Sequence, residues 1–383
     1  MEVRKWVLSE LSNFRSSHGG KVLWVHVASL GEFEQGRPII EKWRQYHPEH
    51  GIVLTFFSPS GYEVRKDYQY ADLVTYLPLD TPRNARAFMK MLKPDIALFI
   101  KYEFWFNFLN EAVRSQVKVV FISTLFREDQ IYFDRGRGLF IPLFRKFDHF
   151  FVQNERSKQI LENHGVNAVT IAGDTRLDRV LEIKKTTFEH PEIEQFIDGK
   201  PVIVFGSTWY SDIEFLKPIL PKLYTDFKLI FAPHHLDEDS LEQISAIEPE
   251  HTVLLSQYSI KEHAHTLIID QIGSLSQIYR YARYAYIGGA LHEGLHNILE
   301  PAVYGLPIFF ARHPGNARFL EALSLEVSGG ALSLEVAEEM LQRIEQLETD
   351  QEAYAAVGQK AADYVVEHAG ATDVIFDYLR SRA

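Results

Sequence analysis

The sequence predicts an α/β protein made of two Rossmann-like domains in tandem, and three observations predict it. A chain of 383 residues exceeds one ordinary hydrophobic core and suits two domains of roughly 150–200 residues. Its short β-branched and aromatic runs are apolar throughout rather than alternating, the pattern of parallel strands covered by helices on both faces. Between them lie longer segments with helical spacing, so strand and helix alternate along the chain.

In order, the first half offers KVLWVHVAS (21–29), IVLTFF (52–57), LVTYLP (73–78), DIALFI (95–100), VKVVFIS (117–123), HFFVQN (149–154) and AVTIAG (168–173). The second half repeats the scheme with PVIVFGS (201–207), KLIFAP (228–233), TVLLS (252–256), TLIID (266–270), YAYIGG (284–289) and PIFFA (307–311). The polar stretch EIKKTTFEHPEIEQ (182–195) reads as the boundary, giving domains 1–182 and 196–383. A last helix over about 352–380 is expected to pack back on the first domain. Ligands of open α/β sheets bind beyond the carboxyl ends of the strands, so two such domains face to face place the site in the cleft between them. That is the arrangement of GT-B proteins, shared in outline with dehydrogenases and periplasmic binding proteins.

Composition removes several function classes. Formal net charge is −12, whereas broad nucleic-acid binding needs a basic footprint. With no cysteine there is neither disulfide framework, thiolate metal site nor catalytic cysteine. The chain has no run of about 18 apolar residues and no apolar signal-peptide core, so it reads as a protein of the cytosol or of a membrane surface. RGRGLFIPLFRKF (135–147) mixes cations with bulky apolar groups, fitting either an anionic lipid surface or an amphipathic helix with a solvated face.

Chemistry is then sought at the strand-to-helix turns. In VHVASLGEFEQGRPIIEKW (25–43), Phe33, Gly36, Ile39, Ile40 and Trp43 form an inner stripe. Ser29-x-x-Glu32 is a capping box, yet a carboxylate at the carboxyl end of the first strand also suits proton abstraction from a hydroxyl, and both readings stand. Glu103, in IKYEFWFNFL (100–109), is a second carboxylate on the same side; the aromatic residues around it read as core. The turn Gly206-Ser207-Thr208 offers amides and hydroxyls to a phosphate, with Ser211-x-x-Glu214 as a second capping box. His234 and His235 follow a strand; extended, they point apart, one toward an anionic ligand and the other into packing. HEGLH (292–296) spells the zinc-protease signature, but that chemistry needs both histidines on one helix face, and the first helix start is Asn297 with Glu300 three positions on. The stretch therefore reads as a Gly-rich turn entering a helix N-terminus, with no metal site. Glu300 is placed to accept from a ribose diol.

Six segments in this order, ASLGE (28–32), YEFWFN (102–107), GST (206–208), GSL (273–275), YIGGAL (286–291) and HNILEPAVYGLP (296–307), resemble those of the Kdo transferases. These enzymes attach 3-deoxy-D-manno-octulosonic acid (Kdo) to the lipid A precursor of Gram-negative bacteria. The resemblance covers nearly the whole chain. It implies a GT-B fold, a CMP-Kdo donor, a lipid IVA acceptor, and inversion at the anomeric carbon without metal or other cofactor, at the cytoplasmic face of the inner membrane. Glu32 falls on the family's presumed general base, and Glu103, taken as a second catalytic carboxylate, on the E-x-W glutamate of the first domain. Ser207, Thr208, Gly273, Ser274, Gly289, Asn297 and Glu300 fall on donor-binding turns.

His234 and His235 join the donor-binding set, with His234 where relatives carry arginine, which makes donor binding sensitive to pH. Gly31, Arg127, Arg135 and Arg137 are expected on the acceptor side, where the basic segment 127–147 meets lipid phosphates. Relatives also begin with an apolar anchor that is not found before Met1-Glu2-Val3-Arg4. Either this sequence is a shortened one, or membrane contact is peripheral and relies on the basic and aromatic surface of the first domain.

Overall fold

The computed structural model describes residues 2–133, 138–258 and 264–382. They form two compact units, residues 1–179 with 368–383 and residues 180–367. The first holds a seven-stranded parallel sheet of β1 (Val22–Val27), β2 (Gly51–Phe56), β3 (Leu73–Tyr76), β4 (Ile96–Ile100), β5 (Lys118–Thr124), β6 (His149–Val152) and β7 (Val169–Ile171), in the order β3-β2-β1-β4-β5-β6-β7. Every residue of β1, β2 and β4 is buried, because helices cover both faces. Trp24, Phe88, Phe99 and Phe121 fill one side; Phe33, Ile40, Trp43 and Ile375 fill the other.

The second unit repeats the design with β8 (Val202–Thr208), β9 (Lys228–Pro233), β10 (Thr252–Leu254), β11 (Thr266–Ile268), β12 (Tyr284–Ile287), β13 (Ile308–Ala311) and β14 (Ala331–Leu334), ordered β10-β11-β9-β8-β12-β13-β14. β14 is the strand the sequence reading lacks. It is four residues long, and its polar Ser333 interrupts the apolar run.

Two topological consequences position the chemistry. Strand order reverses between β1 and β4 in the first sheet and between β8 and β12 in the second. Loops leaving the carboxyl ends at such a switch point diverge to opposite faces and open a crevice.

The expected last helix is two helices, Gln351–His368 and Ala371–Arg380. Gly370, at φ +111°, turns the chain between them. The second belongs to the first unit, where Ala371, Ile375, Phe376 and Leu379 are buried in its core. Among its described residues the basic segment forms the short helix Phe140–Phe144, too short for an amphipathic surface helix.

Candidate functional site

In the first unit the switch point carries both predicted carboxylates. Past β1, Ser29 takes an extended conformation and caps the helix Leu30–Tyr46, its hydroxyl accepting from Glu32 N–H at 3.4 Å. Glu32 Oε2 in turn accepts Ala28 N–H at 2.5 Å. The cap therefore exists, and it anchors the carboxylate beside the end of β1. Burial and the nearby charge of Glu103 raise Glu32 to about 7, against hydrogen bonds from Ala28 and Ser29 and the charge of Lys101. The two readings of Glu32 are not rivals, since the bonds of a cap hold a carboxyl whose burial suits it to proton transfer at neutral pH.

Past β4, Lys101 adopts a left-handed φ of +56°, an outlier for a long side chain that marks a constrained turn. Glu103 follows, its Oε2 accepting Trp105 Nε1–H at 2.7 Å and lying 3.4 Å from His26 Nε2. His26 on β1 is fully buried; sequence reading missed it because a histidine inside an apolar strand carries no distinguishing signal.

Of the residues expected on the acceptor side, Gly31 lies in the first turn of the helix Leu30–Tyr46, where an added Cβ would meet only Ser29 Oγ, at 4.0 Å. Arg127 is ion-paired with Asp129 at 3.4 Å. Arg135 and Arg137 lie outside the described residues. Arg145, further along the basic segment, is committed to the carbonyl of His164 through two hydrogen bonds.

In the second unit the turns at the switch point bring two of the predicted donor residues, His234 and His235, against a side chain the sequence reading passed over, Trp209. β8 ends in a bulge at Ser207, φ +52°. Trp209, rather than Ser211, sits at the N-cap of the helix Tyr210–Leu216; its indole accepts nothing there, and Asp212, not Glu214, reaches back to the N-cap amide. Glu214 faces solvent and pairs with Lys217. Asp212 is buried and accepts from Trp209 N–H, Gly289 N–H and the Tyr286 hydroxyl, each at 2.9 Å. This carboxylate ties the β8 turn to the β12 turn, although burial still raises its pKa.

His292 stacks on the Trp209 ring, with centroids 4.1 Å apart and planes 13° from parallel, and His234 stacks at 4.7 Å and 19°. His235 meets Trp209 edge-on at 4.8 Å, so the paired histidines converge on one indole instead of pointing apart. The bulge that turns the chain out of β8 brings Trp209 to them. Trp209 Nε1–H donates to His296 Nε2 at 2.9 Å. An indole only donates, so this nitrogen of His296 is an unprotonated acceptor. Burial, with His234 and His235 nearby, lowers His296 to about 4. Burial also lowers His234.

These facts answer the zinc signature. Residues 292–297 are turn and loop, and the two histidines contact Trp209 instead of sharing a helix face. Among the described residues, three metal-ligating groups bring ligand atoms within 4.8 Å of one another only at His47, Glu49 and His50, outside this site.

The helix expected from Asn297 starts later, at Leu299, and runs only to Ala302. Asn297 acts through its side chain, donating Nδ2–H to Glu300 Oε1 at 3.0 Å and accepting from Leu299 N–H. Gly289 holds φ +90°, and a Cβ there would lie 2.5 Å from Gly294 O and from His296 Cδ2. Gly288 is packed against Ser207 O and Asp212. Gly273, φ +103°, leads into Ser274 ahead of the short helix Leu275–Ile278. Thr208 Oγ1 and Ser274 Oγ are buried without a hydrogen-bond partner in the protein, the condition of hydroxyls that a ligand completes.

Two parallel sheets flanked by helices, with polar groups gathered at each switch point, are the GT-B architecture. The same fold occurs in the UDP-GlcNAc 2-epimerase of Neisseria meningitidis (TM-score 0.66, 17% identity, 94% of this chain and 100% of that one). It occurs also in Acinetobacter baumannii MurG (TM-score 0.59, 12% identity, 94% and 100%). Residues 6–179 match the family model described as 3-deoxy-D-manno-octulosonic-acid transferase (kdotransferase). A Chlamydia trachomatis relative named 3-deoxy-D-manno-octulosonic acid transferase is 27% identical over 357 residues, spanning 89% of this chain and 81% of its own. The protein is thus an enzyme, a glycosyltransferase. Over most of its length it is similar to the Kdo transferases, whose family model matches its residues 6–179.

Proposed function

We propose that this enzyme transfers Kdo from CMP-Kdo to a lipid A precursor, lipid IVA, with inversion and with Glu32 as general base. The first unit presents the base and receives the acceptor; the second holds the nucleotide sugar. The observation that carries this reading is the state of Glu32, a carboxyl at the switch point of the first sheet, held by its cap and raised by burial to about 7. Such a group is ionised often enough at neutral pH to take the proton of an acceptor hydroxyl as oxygen attacks the anomeric carbon, and still basic enough to do so.

CMP departs as a monophosphate. Its developing charge is met by donors of the second unit, among them the hydroxyls of Thr208 and Ser274, while Asn297 and Glu300 are suited to the ribose hydroxyls. His234, uncharged in the empty site, becomes a cation when phosphate arrives, the role an arginine plays in relatives. The acceptor's lipid character places the reaction at the cytoplasmic face of the inner membrane. Membrane contact is peripheral, with Arg127 and its basic neighbours on the acceptor side. No helix among the described residues is long and apolar enough to cross a membrane.

The test is Kdo transfer from CMP-Kdo to lipid IVA in EDTA, comparing the native enzyme with Glu32→Gln. The native enzyme should work without a divalent ion, and the variant should fold but lose roughly 10²–10⁴-fold in kcat. Full activity in the variant, or a zinc requirement in the native enzyme, removes the reading.

A further inference from the structure

His26 poses a problem of proton accounting. Its Nδ1 lies 3.1 Å from the carbonyl oxygen of Thr55 and 2.9 Å from the Thr55 hydroxyl. That hydroxyl already accepts Trp24 Nε1–H at 2.8 Å and directs its own hydrogen to Val25 O at 3.3 Å. A carbonyl oxygen only accepts, so Nδ1 carries a hydrogen. In a neutral imidazole the other nitrogen, Nε2, is then a bare lone pair. Nε2 is buried, has no hydrogen-bond partner, and faces Glu103 Oε2 at 3.4 Å. Rings surround the rest of the imidazole, with Phe99 at 5.8 Å and Trp105 at 5.9 Å. A lone pair this close to a carboxylate in such a site is repulsive, and one proton between the two atoms, with a small turn of either group, makes a charge-assisted bond.

We propose that His26 is a positioning residue for the transfer reaction: a single proton held between its Nε2 and Glu103 Oε2 keeps that pair neutral overall beside the Glu32 carboxyl. The role in transfer rests on Glu32 being the base; the shared proton does not. The charged groups acting on Glu32 are Glu103, which opposes its ionisation, and Lys101, which favours it. Glu103 is faced by His26 and also acts on the Tyr132 hydroxyl. Trp105 fixes the shared oxygen through its indole N–H. Without the proton on His26, Glu103 would stand as a full second negative charge next to the base.

Carboxyl ¹³C NMR of Glu32, assigned by its loss in Glu32→Gln, tests this in the full chain. His26→Gln should raise the Glu32 midpoint by about one unit, and Glu103→Gln should move it much less, because the pair it replaces is already neutral. In the Glu103→Gln background, adding His26→Gln should move it hardly at all. Equal movement in both backgrounds, or none, overturns the proposal. Should the His26 variants fail to fold, ¹⁵N-histidine NMR of the unsubstituted protein decides. A bare Nε2 on His26 with Glu103 ionised overturns the shared proton; a proton-bearing Nε2, or a protonated Glu103, supports it.

Kinetics separates the two claims. The acid limb of kcat/KM should move with the Glu32 midpoint, costing His26→Gln about tenfold at pH 6.5 and little above pH 8.5. Midpoints that move while Glu32→Gln keeps its activity uphold the proton pairing and sink the role in transfer. Unmoved midpoints with an inactive Glu32→Gln sink the pairing and leave the base in place.

Discussion

A carboxyl raised from 4.5 to about 7 binds its proton more tightly in the folded chain than in the unfolded one. Between those values the native state holds the extra proton, so unfolding free energy falls as pH rises through this window and levels off above it. Replacing Glu32 by glutamine removes the effect while leaving an amide oxygen for the cap. The variant's stability relative to the native protein should therefore grow by about 2–3 kcal/mol between pH 4.5 and 8. Chemical denaturation at several pH values measures it, and a constant difference means that Glu32 is not raised. A group that weakens the fold at working pH is the kind of local cost found at functional sites. The sequence showed Ser29-x-x-Glu32 as a cap or a base but could not rank the two, because burial and the approach of Glu103 come from residues some 70 positions apart.

At the scale of elements, the β12 turn shows which glycines are structural. Gly289 sits at φ +90° with no room for a Cβ, whereas Gly31 has only Ser29 Oγ, at 4.0 Å, near the Cβ position. Gly289→Ala should cost about 2–3 kcal/mol and loosen the Trp209–His296 bond. Gly31→Ala should stay within about 0.5 kcal/mol of the native protein. Thermal melts with Trp209 fluorescence check both; a benign Gly289→Ala would show the turn to be free to adjust. The HEGLH letters were legible as a non-helical turn because Gly294 and the preceding strand break helical spacing. What they contact was not legible. Trp209 is separated from His296 by 87 residues, and only the sheet places their turns side by side.

At the scale of the molecule, nucleotide preference tests the proposed donor most directly. CMP at about 100 times its dissociation constant should stabilise the protein by about 2.7 kcal/mol, several degrees in melting temperature, and UDP should do nothing. The reverse order would point to a UDP-sugar enzyme with the same fold. The chain's local pattern by itself determined the α/β class, two sheets of parallel strands, nearly every strand and the turns that follow them, because apolar runs and turn residues are local signals. It missed β14 and the break at Gly370, where a polar strand residue and one glycine in a helical segment blur those signals. Strand order was decided only by tertiary structure, since pairing depends on how distant segments share a sheet. That order puts Glu32 beside Glu103, and Trp209 among four histidines. Burial in those places, which no local pattern encodes, sets the protonation of Glu32 and His296.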